Sequence, residues 1–114
     1  MRVRTKRVYD PPNPADGQRV LVDRLWPRGL SKIAARIDYW AKALAPSTQL
    51  RQWYRHDPAK WKEFRQRYFA ELDANPDALA DLRQHLGKGP VTFLYSSKEE
   101  SLNKATALQE YLEA

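Results

Sequence analysis

A chain of 114 residues without cysteine is long enough to bury a core as one domain, 1–114, and offers neither disulfides nor thiolate chemistry. Its two histidines, His56 and His85, lie far apart in sequence and make no zinc ligand set, so neither metal nor cofactor is expected. The net charge of +6 is unevenly placed, with 16 Lys and Arg against 6 Asp and Glu in residues 1–67 and 4 against 8 in residues 68–114, which points the front half toward an anionic partner or a solvated basic surface.

The opening MRVRTKRVYD alternates apolar and basic residues and predicts a strand from Arg2 to Arg7. No apolar segment follows its basic start, and no window approaches the roughly 18 apolar residues of a membrane span. The expectation is a cytoplasmic protein with no membrane partner. DPPNPADG, with three prolines among Asp, Asn and Gly, cannot continue a ladder or a helix and reads as an ordered loop from Asp10 to Gly17.

RVLVDRLW contains the continuous apolar run Val20, Leu21, Val22, the pattern of a strand covered on both faces and hence of a central strand. Ser31 caps a short helix through Arg36. DYWAKALAPS is ambiguous between helix and strand, its alanines favouring helix weakly, and ends at Pro46. Ser47 then caps a helix of about two turns with Leu50, Trp53 and Tyr54 inward.

HDPAKWKEF is the clearest local signal: Asp57 as N-cap, Pro58 opening the helix, and Trp61, Phe64, Tyr68 and Leu72 at helical spacing. NPDALADLRQHLGKG repeats the pattern with Asn75 as cap, Pro76 opening, Leu79, Leu82 and Leu86 inward, and Gly87 closing. PVTFLY is a second buried strand, and Leu102, Ala105, Leu108 and Leu112 mark the closing helix.

Strands alternating with helices predict an α/β fold: a single three-layer domain with a small, mostly parallel sheet flanked by helices. In such sheets ligands bind beyond the carboxyl ends of the strands. That rule selects two walls, DRLWPRG after the central strand and YSSKEESLNK after the last one.

In the first wall, Pro27 excludes a helix, so Arg24 and Arg28 project from a loop as planar forks suited to carboxylate or phosphate. Asp23 would pair with one of them if the cluster only fastens the loop. The Trp26 ring either stacks on a base or lids the core, and its size favours the core. The second wall offers Tyr95, Ser96, Ser97, Lys98 and Asn103 at a helix start, where backbone N–H groups hold anions. Glu99 and Glu100 compete there, and no glycine lets the backbone close on a phosphate.

His56 is of the type most easily tuned for proton transfer, but no Ser or Cys nucleophile elbow accompanies it, which favours a structural or surface histidine; no catalytic residue is assigned and an enzymatic role stays open. Lys60, Lys62, Arg65 and Arg67 beside Trp61 form a basic helix face that would either lie on nucleic acid or face water. Trp40, Trp53, Tyr54 or Trp61, if partly exposed, would provide a homodimer surface.

The stretches RVYDPP, DGQRVLVDRLWPRGLSK, DYWAKALAPS, LRQWYRHDPAKWKEFRQRYFAEL and VTFLYSSKEESLNKA together resemble the YeaO-like branch of domain-of-unknown-function family 488, small bacterial proteins, from about Arg7 to Leu112. The resemblance implies no established activity. Two labels carried by members of that family do not fit: a winged-helix regulator needs a recognition helix and wing, and a methyltransferase opens with a glycine-rich loop that four scattered glycines cannot form. Broader relatives often have cysteine and histidine after the last strand, where LYSSKEESLNKA has neither. Matched to the family pattern, the polar positions are Asp16, Asp23, Arg24, Trp26, Arg28, Ser47, His56, Asp57, Tyr95, Lys98 and Asn103, with departures at Ser97 and Glu99.

The resulting expectation is a cleft for a small anionic or nucleotide-like ligand. Arg24 and Arg28 hold the anion beside Asp23 and His56, Trp26 stacks, and Tyr95, Lys98 and Asn103 close the opposite side. The alternatives are nucleic-acid binding through the basic front half and an enzyme of unknown reaction.

Overall fold

The computed structural model describes residues 3–113. Four strands, β1 (Val3–Arg7), β2 (Gln18–Leu21), β3 (Tyr39–Trp40) and β4 (Val91–Tyr95), form one sheet in the order β1-β4-β2-β3, with every neighbouring pair parallel. The fold is α/β. β2 shares the interior of the sheet with β4, and their register sets Val20 against Phe93 and Leu21 against Leu94. β4 is buried at every residue, because it has a strand on each edge and a layer on each face. The strand start expected at Arg2 lies outside the described residues.

The pleat sorts side chains onto two unequal faces. On one, Val3, Val20, Val22, Val91, Phe93 and Tyr95 meet a helical layer through Leu50, Tyr54, Phe64, Tyr68, Leu72, Leu82 and Leu108. That layer consists of α2 (Thr48–Tyr54), α3 (Trp61–Asp73), α4 (Pro76–His85) and α5 (Lys104–Glu113). On the other face, Val8, Leu21 and Leu94 are packed by the partly buried Trp26, Leu30 and Ile37, from the irregular segment around the short helix α1 (Lys32–Ala35), and by Trp40 of β3. Trp26 and Trp40 meet edge to face with ring centroids 5.5 Å apart. The thin third layer thus ends beside the carboxyl edge of the sheet.

The amino-terminal part of that second face is polar. Asp16 accepts from Arg19 Nη1 at 2.5 Å and from Lys6 Nζ at 3.1 Å, and Arg19 Nη2 donates to the Ala35 carbonyl at 2.9 Å. Thr92 Oγ donates to the Asp16 carbonyl at 2.8 Å. These bonds fasten the Pro-rich crossover 8–17, which contains the 3-10 turn Pro14–Asp16 capped by Asn13, to β1, β2 and β4. Gly17 ends the crossover at φ 65°, and a Cβ there would collide with the Pro90 carbonyl.

Helix limits follow side-chain chemistry. Ser47 Oγ accepts from Leu50 N at 3.1 Å to start α2, and its own hydroxyl and N–H donate to Glu71 of α3, at 2.6 and 2.8 Å. Asp57 accepts from Ala59 N at 3.0 Å, but Pro58 opens a 3-10 turn, Pro58–Lys60, and α3 begins only at Trp61. Asn75 makes no side-chain cap; its amide instead donates to the Ala43 carbonyl at 3.1 Å. The segment DYWAKALAPS resolves into β3, paired with β2, and the 3-10 turn Lys42–Leu44. No helix among the described residues is long and apolar enough to cross a membrane.

Candidate functional site

β2 hands its last main-chain bond, Val22 N to the Leu94 carbonyl at 3.0 Å, to β4, and the chain then turns at Asp23. Asp23 is 3% exposed and binds three elements. Its carboxylate accepts from Ser96 N at 2.9 Å and pairs with Lys104 Nζ, at the start of α5, at 3.0 Å. Its carbonyl accepts from Trp40 Nε1 at 2.6 Å. One buried carboxylate therefore joins the ends of β2 and β4 to α5 and to the thin layer.

Arg24 points the other way along the loop. Its Nη2 donates to the Pro46 carbonyl at 3.1 Å and reaches that of Ala45 at 3.5 Å. Its Nε is buried without a hydrogen-bond partner, a state shared among the described residues with Asp23 Oδ1, Arg65 Nε and Glu110 Oε2. Those three lie in ion pairs, Asp23 with Lys104 and Arg65 with Glu110 at 2.8 Å. Arg24 Nε alone of the four has neither hydrogen bond nor ion pair, the kind of buried donor that calls for an explanation.

A cavity of about 260 Å³ opens at this carboxyl edge. It is lined by Asp23, Arg24, Leu25, Trp26, Pro27 and Arg28 from the β2 loop, Tyr9 beyond β1, Ser96 beyond β4, Arg51 of α2 and Lys104 of α5. Four cationic side chains thus face one carboxylate. The guanidiniums of Arg28 and Arg51 make no ion pair among the described residues. Tyr9 OH donates to the Arg28 carbonyl at 2.9 Å, which holds the loop tip against the end of β1.

The structure groups Asp23, Arg24, Trp26 and Arg28, with Ser96 of the second wall, around this cavity and sets His56, Tyr95, Lys98 and Asn103 apart from it. Trp26 is half-buried, donates from Nε1 to the Leu30 carbonyl at 2.7 Å, and packs on Trp40, so its ring belongs to the thin layer while its edge lines the cavity. Asn103 is fully buried: its Oδ1 accepts from Thr106 N at 3.0 Å and its Nδ2 donates to the Glu99 carbonyl at 2.8 Å, the work of a helix cap. Lys98 is exposed and outside the lining. Tyr95 packs in the core, where burial foremost, with Glu100 and Asp10 nearby, raises its phenol above the ordinary value and keeps it neutral.

His56 is exposed, at φ 54°, next to Arg55 at φ 47°. These two left-handed residues end α2 and turn the chain toward the Asp57 cap. The imidazole lines a separate small cavity of about 20 Å³ with Pro46, Tyr54 and Phe64, and Arg51 and Lys104 line both cavities. Burial first, then Glu99 and Asp57, pushes the Tyr54 phenol up to about 12, and its OH donates to the Leu102 carbonyl at 2.7 Å. No group of three or more His, Cys, Asp or Glu able to hold a metal ion occurs among the described residues.

Of the basic residues Lys60, Lys62, Arg65 and Arg67, Lys62 is exposed and the other three have partners within the protein. Arg65 pairs with Glu110 and Arg67 with Glu63. Arg67 and Lys60 also flank the Trp53 ring, at 4.3 and 5.1 Å from its centroid. Reading the sequence did not select Arg51 or Tyr9 for the site, and did not single out Lys104 within the second wall. No local pattern separates Arg51 from Arg55, and only the neighbourhood of the carboxyl edge distinguishes Lys104 and Tyr9.

The family model described as the inactive DUF488-N3 subclade matches residues 2–114. Among curated proteins, an uncharacterised protein of Mycobacterium tuberculosis is 44% identical over 111 residues, covering 97% of this chain and 93% of its own length. The uncharacterised protein YeaO of Escherichia coli is 41% identical over 112 residues, covering 98% of this chain and 97% of its own length. No solved structure matches.

Proposed function

The chain belongs to the DUF488-N3 family, in the subclade described as inactive, and on that premise we propose that it binds a small anionic or nucleotide-like ligand in the cleft at the carboxyl ends of its strands. The observation that carries this reading is the gathering of Arg24, Arg28, Arg51 and Lys104, from three separate segments, around one cavity with Asp23 as its lone carboxylate. Guanidinium forks recognise carboxylate and phosphate oxygens in pairs.

Two features support binding rather than turnover: the subclade's description and the lack of any cysteine where thiol chemistry would be sought. The experiment is calorimetry with inorganic phosphate, pyrophosphate and a dicarboxylate at low ionic strength. Binding to the wild type that falls at least tenfold in Arg28→Ala and Arg51→Ala supports the reading. Absence of binding by all three anions, or binding indifferent to both substitutions, removes it.

A further inference from the structure

The cavity, at about 260 Å³, is smaller than the usual 300–1,000 Å³ or so of a site that encloses a whole small molecule. A ligand held there is only partly enclosed, and the remainder lies across the rim. Charge identifies the enclosed part. Lys104 is matched by Asp23 at 3.0 Å, which leaves Arg24, Arg28 and Arg51 in excess. Three guanidiniums suit a phosphate monoester, with about −1.5 to −2 charges and three terminal oxygens at neutral pH, better than a singly charged carboxylate or phosphodiester.

The rim supplies the second half of the argument. The Tyr9 ring is 40% exposed and lines the cavity. Its hydroxyl is tied to the Arg28 carbonyl at 2.9 Å, and the Arg7 guanidinium sits 5.3 Å from its ring centroid. Arg7 is itself fixed, donating from Nε to the Ser97 carbonyl at 3.0 Å. An exposed aromatic ring held in place before binding, beside a phosphate-sized cluster of cations, is a stacking platform for a base. Trp26 has its N–H and its ring committed to Leu30 and Trp40.

We infer that the cleft takes a nucleoside bearing a terminal phosphate monoester, with the phosphate among Arg24, Arg28 and Arg51 and the base on Tyr9. The inference rests on the anion-binding reading above and names its ligand class. A free mononucleotide and the phosphorylated end of a strand present this same chemistry.

The test is calorimetry on the full chain with inorganic phosphate, thymidine, thymidine 5′-monophosphate, and pentathymidylate with a 5′-phosphate or a 5′-hydroxyl. The monophosphate is expected to bind about tenfold or more tighter than inorganic phosphate, the gain that one stacked base supplies. Tyr9→Ala should reduce the monophosphate to the affinity of inorganic phosphate, while Tyr9→Phe, which keeps the ring, should retain most of the gain. A nuclear Overhauser contact between the Tyr9 ring and the base in the wild-type complex reads the stacking without any substitution. Preference of at least tenfold for the 5′-phosphorylated strand over the 5′-hydroxyl strand identifies a strand end as the source. Binding of the monophosphate with exclusion of both strands identifies the free nucleotide. Equal affinity for phosphate and monophosphate, or no contact between base and Tyr9, overturns the inference and leaves the anion site standing; no binding of either removes both.

Discussion

Asp23 and Lys104 meet at 3.0 Å with side chains 4% and 14% exposed, the first at the end of β2 and the second at the start of α5. Two charges withdrawn from water in this way hold a geometry rather than simply adding stability, because their attraction is offset by desolvation. Removing one partner leaves the other charge enclosed. This pair therefore couples the integrity of the loop to the charge of the cavity it lines.

Asp23→Asn is expected to lower unfolding free energy by about 3 kcal/mol in urea titration, the usual result of breaking a buried pair. It is also expected to raise affinity for inorganic phosphate by about three- to tenfold, since Lys104 loses its counterion beside the anion. Lys104→Met should destabilise as well but weaken phosphate binding. Opposite signs in affinity with the same sign in stability separate a charge effect from a folding effect.

Arg24, Arg28 and Arg51 should separate by role. Arg28→Ala and Arg51→Ala, on exposed side chains, are expected within about 0.5 kcal/mol of wild type in stability. Arg24→Ala should cost about 1–2 kcal/mol, since it removes the donor to the Pro46 carbonyl. Denaturant titration of the three variants checks this order, and a larger loss for Arg28→Ala than for Arg24→Ala would contradict it.

Acid stability should report Asp16. Burial pushes its carboxyl up, but the Asn13 N–H, Lys6 and Arg19 outweigh it and hold it below the ordinary value of 3.8. A carboxyl whose folded pKa lies below its unfolded one contributes stability that is complete above about pH 5 and lost as pH falls through the folded value. Wild type should lose stability below about pH 4 more steeply than Asp16→Asn, which already lacks that contribution and leaves Arg19 buried without its carboxylate. Urea titrations from pH 3 to 7 on both proteins measure the difference.

Two glycines with positive φ should respond differently. Gly17→Ala forces a Cβ into the Pro90 carbonyl at φ 65°, and a loss of more than about 2 kcal/mol is expected. Gly29, at φ 82°, has open space around it, so Gly29→Ala pays only the left-handed backbone preference, about 1–2 kcal/mol. Thermal unfolding of the two variants side by side ranks them.

Much of the helical layer was legible residue by residue. Ser47 begins α2 and Asp57 caps the turn into α3, because short polar side chains satisfy N–H groups that a helix start leaves free. Trp61, Phe64, Tyr68 and Leu72 follow the helical period and pack inward as it requires. The continuous run Val20 to Val22 and the segment 91–95 became the interior strands, where both faces are covered. The segment holding β3 stayed open between helix and strand, since two residues cannot express a period, and its pairing with β2 decides it.

The site was legible in full on one wall and in part on the other, where Ser96 lines the cavity as named. Asp23, Arg24, Trp26 and Arg28 sit in one loop, so the rule that clefts form beyond strand ends sufficed to find them. On the facing wall, Lys98 and Asn103 are local in sequence to β4, yet Asn103 is drawn into capping α5 and Lys98 stays outside, while Lys104 reaches the cavity. Which residue of a connection faces a cleft depends on where its helix begins.

By itself the sequence determined the class of the fold, the periods of its helices, its two buried strands and the loop that bears three of the five charged residues around the cavity, because each is written in the spacing of neighbouring residues. The tertiary structure alone decided that Arg51, Lys104 and Tyr9 join that loop and that Asp23 answers to Lys104 rather than to an adjacent arginine. The parallel register of β2 and β4 brings together segments some seventy to eighty residues apart, here Asp23 with Ser96 and Lys104. No local pattern can encode a neighbour that far along the chain.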